Sequence, residues 1–343
     1  MKRKRITLHE VAAAAGCSVA VASRALSSDL LQNRTVAEAT ASAVVAAARQ
    51  LGYLPRRSFS RRRALGVVGV FLPVSRSVMM LELMDAITNA ARKANTPVHV
   101  YTGANGASFR EFMQSYGDSN RSIGAIGYYP PDSRDEPEFL AMHEQLAKRG
   151  APLVVVHNNA PADFPVVQVR IDNFHGGVLA GRFLAERKCR ECLALGIDSG
   201  YRYQRVEGFR SALSECGIGV TLMLRGGDKN DWDREAHLQL ARQIERMIDW
   251  QTPDPVGIFA DNGLLALFIH NYFQSRGVAV GRKLRMVGYD DEAFAMGAYP
   301  ALTAIRQPFR EMGEVAMNKL FNLMKGGRET GTVLKPELIV RGS

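Results

Sequence analysis

No stretch of this 343-residue chain approaches the ~18 uninterrupted apolar residues that a membrane-crossing helix needs, which excludes a spanning segment. After the charged N-terminus, Ile6, Leu8 and Val11 are interleaved with polar residues instead of forming an apolar block. A secretory leader is therefore not expected, and the cytoplasm is the expected compartment. Cysteine is scarce: Cys17, Cys189, Cys192 and Cys216. Cys189 and Cys192 form a C-x-x-C, but no two further ligands stand at a spacing that would complete a zinc site. Cys192 opens the apolar run 192–195, and the cysteines read as structural. Neither an activated nucleophile nor a metal-ligand cluster nor a phosphate loop is legible, and no cofactor is expected. Gly176, Gly177 and Gly181 lack the dinucleotide-binding spacing. No heptad of leucines closes the chain at Ser343, so a tetramer zipper is not expected.

Acidic residues are nearly missing from the first 63 positions. Glu10, Asp29 and Glu38 face 12 lysines and arginines there, a balance of +9. With 44 basic and 34 acidic residues in the whole chain, the other 280 keep 32 and 31, a balance of +1. Such lopsidedness points to a polyanion-binding head on a nearly neutral body; the blander alternative is a solvated basic tail. Apolar residues make up 46%, enough for packed cores, and the length suggests two or three domains.

The head carries helix-turn-helix punctuation. Residues 6–15 read as a helix capped by Thr7, with Glu10 three residues on as in a capping box and Val11, Ala14 and Ala15 as its apolar face. Gly16 supplies the left-handed turn, and Cys17 fits the tight slot behind it. Ser18 caps a second helix, 19–27, with Val21, Ala22, Ala25 and Leu26 facing inward. Thr35 opens a third, alanine-rich helix that runs to Leu51 and is closed by Gly52. Three short helices with a glycine turn after the first make a unit whose second helix would enter the major groove of duplex DNA.

"ITLHEVAAAAGCSVAVASRALS", followed by "LGYLP", resembles the DNA-binding head of the lactose/galactose-repressor family of bacterial transcription regulators. The match runs through Thr7, Leu8, Val11, Ala12, Gly16, Ser18, Val19, Ser23, Arg24 and Leu26, then Gly52, Tyr53 and Pro55. The resemblance implies base reading by Val19, Ala20 and Arg24. Arg24 suits a bidentate contact to guanine, or alternatively a phosphate; Val19 and Ala20 suit thymine methyls. Ser18, Ser23 and Thr35 are implied as phosphate positioners, and Thr7 joins them among the DNA contacts. The hinge, 55–63, departs from the family. Arg62 stands where a minor-groove leucine is usual, and 56–63 reads RRSFSRRR. Phe59 as an aromatic wedge, or Arg61 or Arg62 in a narrow minor groove, are the alternatives.

From Leu65 onward short β-branched runs alternate with helical stretches. Strands are expected at 67–72, 98–101, 123–128, 153–156, 166–171, 192–196, 256–260 and 286–289. Helices are expected near 79–94, 107–116, 136–149, 174–187, 202–216, 233–249, 262–276 and 308–325. That alternation implies parallel sheets wound on both faces, and about a dozen strands implies two lobes with a cleft between them. "VVGVFLP", "RIDNFHGGVLAGRFLAERKCR", "RVEGFRSAL", "PVGIFADNGLLAL", "LRMVGYDDEAF", "PALTAIRQPFREMG" and "LKPELIVRGS" extend the resemblance over nearly the whole chain. It implies an all-α head, 1–63, on an α/β body, 64–343, of two doubly wound lobes like periplasmic sugar-binding proteins. Lobe crossings are expected near 160–172, 305 and 333. The first lobe would then hold about 65–160 and 306–332, and the second about 161–305 and 333–343.

By the same resemblance, effector contacts fall on Arg205, Asp290, Asp261, His157 and Met79. Asp261-Asn262 reverses the family's usual order, and Ser77, Val78, Met79 and Met80 replace another common stretch. Trp232 is a candidate for stacking on a sugar ring. His157 as a satisfied core imidazole, Trp232 as helix packing and the methionines as core are the structural alternatives. The implied function is a DNA-binding repressor, a homodimer on an operator. A small effector, expected to be a carbohydrate, would set its affinity. Helices near 79–94 and 262–276 would contribute to the dimer interface. Two rivals are a sugar-binding transport protein and an enzyme using Asp261 and Asp290 as acid and base; the basic head counts against the first and the missing nucleophile against the second.

Overall fold

The computed structural model describes residues 7–26, 36–51, 66–73, 77–103, 107–108, 110–112, 122–128, 152–156, 166–198, 200–225 and 234–343. The helix expected near 136–149, most of that near 107–116, the hinge, Thr35, Phe59, Arg61, Arg62, His157 and Trp232 lie outside the described residues. The chain divides into two compact units, residues 1–64 and 65–343.

In the first unit, α1 (Leu8–Ala14), α2 (Val19–Ala25) and α3 (Glu38–Leu51) enclose a small core of Val11, Ala12, Ala22, Ala25, Val44, Ala47 and Ala48. The capping box forms: Thr7 N donates to Glu10 Oε2 at 2.6 Å and Glu10 N donates to Thr7 Oγ1 at 3.4 Å. Gly16 turns the chain at φ +63°, where a β-carbon would be strained. Ala14, expected on the apolar face, is exposed, and Ala12 takes its place in the core. The third helix begins at Glu38, three residues beyond Thr35.

The second unit holds two six-stranded sheets. The first is built from β1 (Val67–Pro73), β2 (Val98–Gly103), β3 (Ser122–Tyr128), β4 (Leu153–Val156), β5 (Val167–Ile171) and β11 (Thr332–Leu334), ordered β11-β5-β4-β3-β1-β2 and parallel throughout. The second contains β6 (Glu191–Ile197), β7 (Gly219–Arg225), β8 (Val256–Ala260), β9 (Leu284–Tyr289), β10 (Thr303–Arg306) and β12 (Glu337–Ile339), ordered β12-β10-β9-β8-β6-β7, with β12 antiparallel at its edge. Helices α4 (Val78–Lys93) and α10 (Phe309–Met324) pack their apolar faces on the first sheet through Leu83, Ile87, Met312, Ala316 and Leu320. Helices α5 (Asn173–Glu186), α6 (Gly200–Glu215), α7 (Arg234–Met247), α8 (Gly263–Ser275) and the short α9 (Ala293–Gly297) clothe the second.

Two boundaries differ from those expected. β5 pairs with β4 and β11, so the first sheet runs to Ile171 and not to about 160. Its stretch of alternating β-branched residues is anchored on both sides, and Asp172 N donates to Leu334 O at 2.8 Å where the chain leaves the sheet. β11 likewise carries the first sheet to Leu334, past 332. Strands β7, β10, β11 and β12 were not anticipated individually.

In both sheets the strand order reverses beside the first strand of the lobe, between β1 and β3 and between β6 and β8. The carboxyl ends of strands at such a reversal leave a crevice open to ligands.

Candidate functional site

On the head, Ser18 is exposed and its Oγ accepts from Val21 N at 3.3 Å, capping α2. Ala20, Ser23 and Arg24 are exposed along the helix that follows, whereas Val19 is half-buried against the three-helix core. Arg24 Nε donates to the Ala20 carbonyl at 3.3 Å, so the side chain lies along its own helix. Thr7 is exposed, and its hydroxyl is engaged with Glu10 Oε2 at 2.9 Å. The surface of α2 thus offers a flat, small-residue face with one long cation.

In the body, polar groups gather at the carboxyl ends of β6, β8 and β9. Arg202 and Arg205 are three residues apart on α6 and so share a face of the helix. That helix lies close to α5. A β-carbon on Gly177 would collide with the Arg205 carbonyl, and one on Gly208 with the Phe174 carbonyl. The glycines let the two backbones approach, which brings Asn173 to Arg205: Arg205 Nε donates to Asn173 Oδ1 at 2.8 Å. Its Nη1 donates to the Asp261 carbonyl at 2.6 Å and stands 3.5 Å from Asp290 Oδ1. The guanidinium lies 3.7 Å from the centroid of the buried Tyr289 ring. Burial pushes the Tyr289 hydroxyl above the ordinary phenol range, against the pull of Arg205.

Asp261 is placed differently from the effector acceptor expected. It is fully buried, and both carboxylate oxygens are taken. Arg202 donates through Nε to Oδ2 at 2.7 Å and through Nη2 to Oδ1 at 2.6 Å, and Ile197 N donates to Oδ2 at 2.9 Å. The bidentate pair ties the end of β8 to α6, and the Ile197 bond ties it to the end of β6. The reversed Asp261-Asn262 order therefore has a structural account: the aspartate answers Arg202, and Asn262 caps α8 by accepting from Leu265 N at 2.8 Å.

Asp290 and Asp291 both have positive φ, +84° and +49°, and their carboxylates diverge. Asp291 accepts from Arg306 Nε at 2.9 Å and Arg341 Nη1 at 2.6 Å, clamping the strands beside the lobe crossing. Asp290 accepts from Gln307 Nε2 at 2.6 Å. Gln307 is the first residue after β10, where the chain re-enters the first lobe, and its amide nitrogen is 3.8 Å from Met79 Sδ. Gln307 Oε1 is buried with no hydrogen-bond partner. A second link runs from Ser77, the cap of α4, to Glu292, whose carboxyl is held above its usual range by burial and by Asp290 despite the Ser77 hydrogen bond.

Of the effector residues expected, Met79, Arg205 and Asp290 are thus brought together, and Asp261 lies behind them. Arg202, Asn173 and Gln307 were missed. "AIRQPF" at a lobe crossing was the one signal for Gln307; Arg202 had no local signal. Among the described residues no group of three or more histidine, cysteine or acidic side chains is placed to hold a metal ion, and no helix is long and apolar enough to cross a membrane.

Residues 7–56 match the family "Bacterial regulatory proteins, lacI family", and residues 182–343 match the "Periplasmic binding protein-like domain". The HTH-type transcriptional repressor PurR of Pectobacterium atrosepticum is 29% identical over 357 residues, covering 98% of this chain and 96% of that one. Among solved structures, the Lac repressor dimer bound to operator and the anti-inducer ONPF superposes with a TM-score of 0.70 at 22% identity, covering 99% of each chain. The transcriptional regulator CelR–cellobiose complex gives 0.65 at 23%, covering 99% of this chain and 100% of that one. These two likenesses establish the fold. A lacI-type helix-turn-helix head joined to a two-lobed periplasmic-binding-protein-like body identifies the chain as a member of the lactose/galactose-repressor (LacI) family of DNA-binding transcription regulators.

Proposed function

We propose that this protein is a cytoplasmic repressor, acting as a homodimer, whose affinity for an operator is set by a small polyhydroxylated effector held between the two lobes. The carrying observation is the polar cluster at the crossing: Gln307 Oε1 is buried and unpartnered beside Asp290 and Arg205. An acceptor without a donor, an acidic acceptor and a planar cationic donor together fit adjacent hydroxyls of a sugar or sugar derivative. Arg205 and Asp290 offset one another's charge, which favours an uncharged effector. Asp261 has no part in that contact, because Arg202 occupies it. Met79 would pack on the effector from the first lobe, joined by His157 and Trp232.

Binding there would exchange the Gln307–Asp290 and Gln307–Met79 contacts for contacts to the effector and shift the balance between lobe arrangements. On the head, Arg24 would read one base pair, with Ala20 and Val19 fitting by shape; Ser18, Ser23, Thr35 and Thr7 would position phosphates, and Phe59, Arg61 or Arg62 would meet the minor groove. Exposed Val78 and Leu81 on α4 support a two-fold interface on that helix. Arg202 holds both Asp261 carboxylate oxygens, which counts against the pairing of Asp261 with Asp290 as acid and base.

The test is calorimetry against mono- and disaccharides, sugar acids and nucleobases, paired with anisotropy on operator DNA selected from a random library. A carbohydrate is expected to bind and to change operator affinity. Arg205→Ala should cost about 1–3 kcal/mol of effector binding, through unpaired buried hydroxyls, and keep basal DNA binding. A tight ligand with no hydroxyl array, or a normally responsive Arg205→Ala protein, overturns the assignment.

A further inference from the structure

The pair Cys189 and Cys192 lies at the opposite end of the second sheet from the cleft. Helix α5 ends at Glu186, and Lys188, at φ +59°, folds the chain back so that Cys189 N donates to Leu184 O at 3.3 Å. That turn tucks the Cys189 side chain inward. Cys192 is the second residue of β6, opposite Gly257 of β8. A β-carbon on Gly257 would lie 2.6 Å from Cys192 Sγ and 3.3 Å from Cys189 Sγ. Both sulfurs therefore share the space that a glycine leaves open. Both are free thiols and buried, but Glu186, Arg187 and Lys188 directly above them are exposed, so the cover is one surface turn at a helix end. Local opening of such a turn is the cheapest kind a fold offers. The guanidinium of Arg285, with its Nε buried and unpartnered, adds positive charge beside the sulfurs.

We propose that Cys189 and Cys192 are a peroxide-sensitive dithiol that closes to a reversible disulfide. Such a pair in a reducing compartment is a redox element more often than a structural bridge. The Cys189 thiolate attacks one oxygen of hydrogen peroxide; the O–O bond breaks, and hydroxide leaves and is protonated to water. Cys189 is then a sulfenic acid. Cys192 sulfur attacks it, the S–S bond forms as the S–O bond breaks, and the departing hydroxide takes the Cys192 proton as a second water. Two thiols are oxidised and one peroxide is reduced. The roles follow from placement: Cys189 adjoins the exposed turn 186–188 at the end of α5, so peroxide reaches it first, and Cys192 lies within β6 as the resolving thiol.

The experiment uses the full chain with Cys17→Ser and Cys216→Ser, treated with hydrogen peroxide, denatured, alkylated and mapped by mass spectrometry. Both thiols should disappear together, a linked Cys189–Cys192 peptide should appear, and dithiothreitol should restore both. In Cys192→Ser, dimedone should trap a sulfenic acid on Cys189. The unmodified chain provides a comparison that needs no variant, because exposed Cys216 reports that peroxide was effective. If Cys216 oxidises while Cys189 and Cys192 remain fully alkylatable, or if Cys189 oxidises without linkage to Cys192, the proposal fails. None of these readouts involves effector or DNA, so they are independent of the function proposed above.

Discussion

Arg24 in the head and Arg205 in the body both sit on helices, and their surroundings are opposite. Arg24 is exposed, and its Nε bonds a carbonyl one turn back along its own helix. Arg205 is 3% exposed and bonds groups 32, 56 and 85 positions away in the chain. An exposed arginine keeps its donors for an outside partner. A buried one is already satisfied by the fold, so a ligand reaches it only by rearranging groups that also hold strands and lobes in place. On the proposed function, that difference separates a surface that recognises from a cluster that switches.

The largest expected effect falls on the buried side. Arg202→Ala strands the Asp261 carboxylate without its bidentate partner, and the body should lose about 3–5 kcal/mol in urea denaturation. Arg202→Ala combined with Asp261→Asn should recover part of that loss, since no buried charge remains. A loss below about 1 kcal/mol would break the contrast drawn above.

Arg24→Ala should leave stability within about 0.5 kcal/mol of the parent. It should cost about 1–3 kcal/mol of discrimination at one base pair per half-site, read by competition with single-substitution operators. Uniform weakening across all sequences would instead make Arg24 a phosphate contact. Thr7→Ala, which removes the hydroxyl half of the capping box and leaves the backbone Thr7 N–H to Glu10, should destabilise the head by about 1 kcal/mol, seen as faster amide exchange in α1 with the body unchanged.

The smallest effect is a pH dependence. Glu245 on α7 accepts from Tyr272 Oη at 2.6 Å and Arg276 Nε at 2.8 Å, and these bonds hold its carboxyl below the usual range. Its folded value lies under its unfolded one, so its contribution is present above the ordinary carboxylate range and is lost as pH falls through the folded value. Glu245→Gln should flatten that portion of the acid limb in thermal melts taken between about pH 3 and 6. An unchanged limb would show the clamp to be silent.

The elements most legible in the sequence are those whose signals are local. Thr7 and Glu10, Gly16 and Ser18 mark the head because a cap or a turn is decided within four residues. Strands such as β4 and β8 are legible because their apolar runs are buried on both faces. Legibility fails for short or edge strands: β10, β11 and β12 have three or four residues each, too few for a periodicity, and β7 is only partly buried. β5 was expected in the second lobe because its motif runs straight into α5, yet its neighbours β4 and β11 hold it in the first sheet.

The candidate cleft divides in the same way. Arg205 and Asp290 were legible through the motifs around them. That Asp261 is paired with Arg202, that Asn173 orients Arg205, and that Gln307 leaves an acceptor open were decided only by the packing of α5 on α6 and the return of the chain through the crossing. The sequence alone determined which helices cap, where the chain turns and which runs are apolar enough to be buried, because these depend on neighbours along the chain. Only the tertiary structure decided which buried polar groups satisfy one another, because each such bond joins residues tens of positions apart and the cost of leaving one unmade is set by burial.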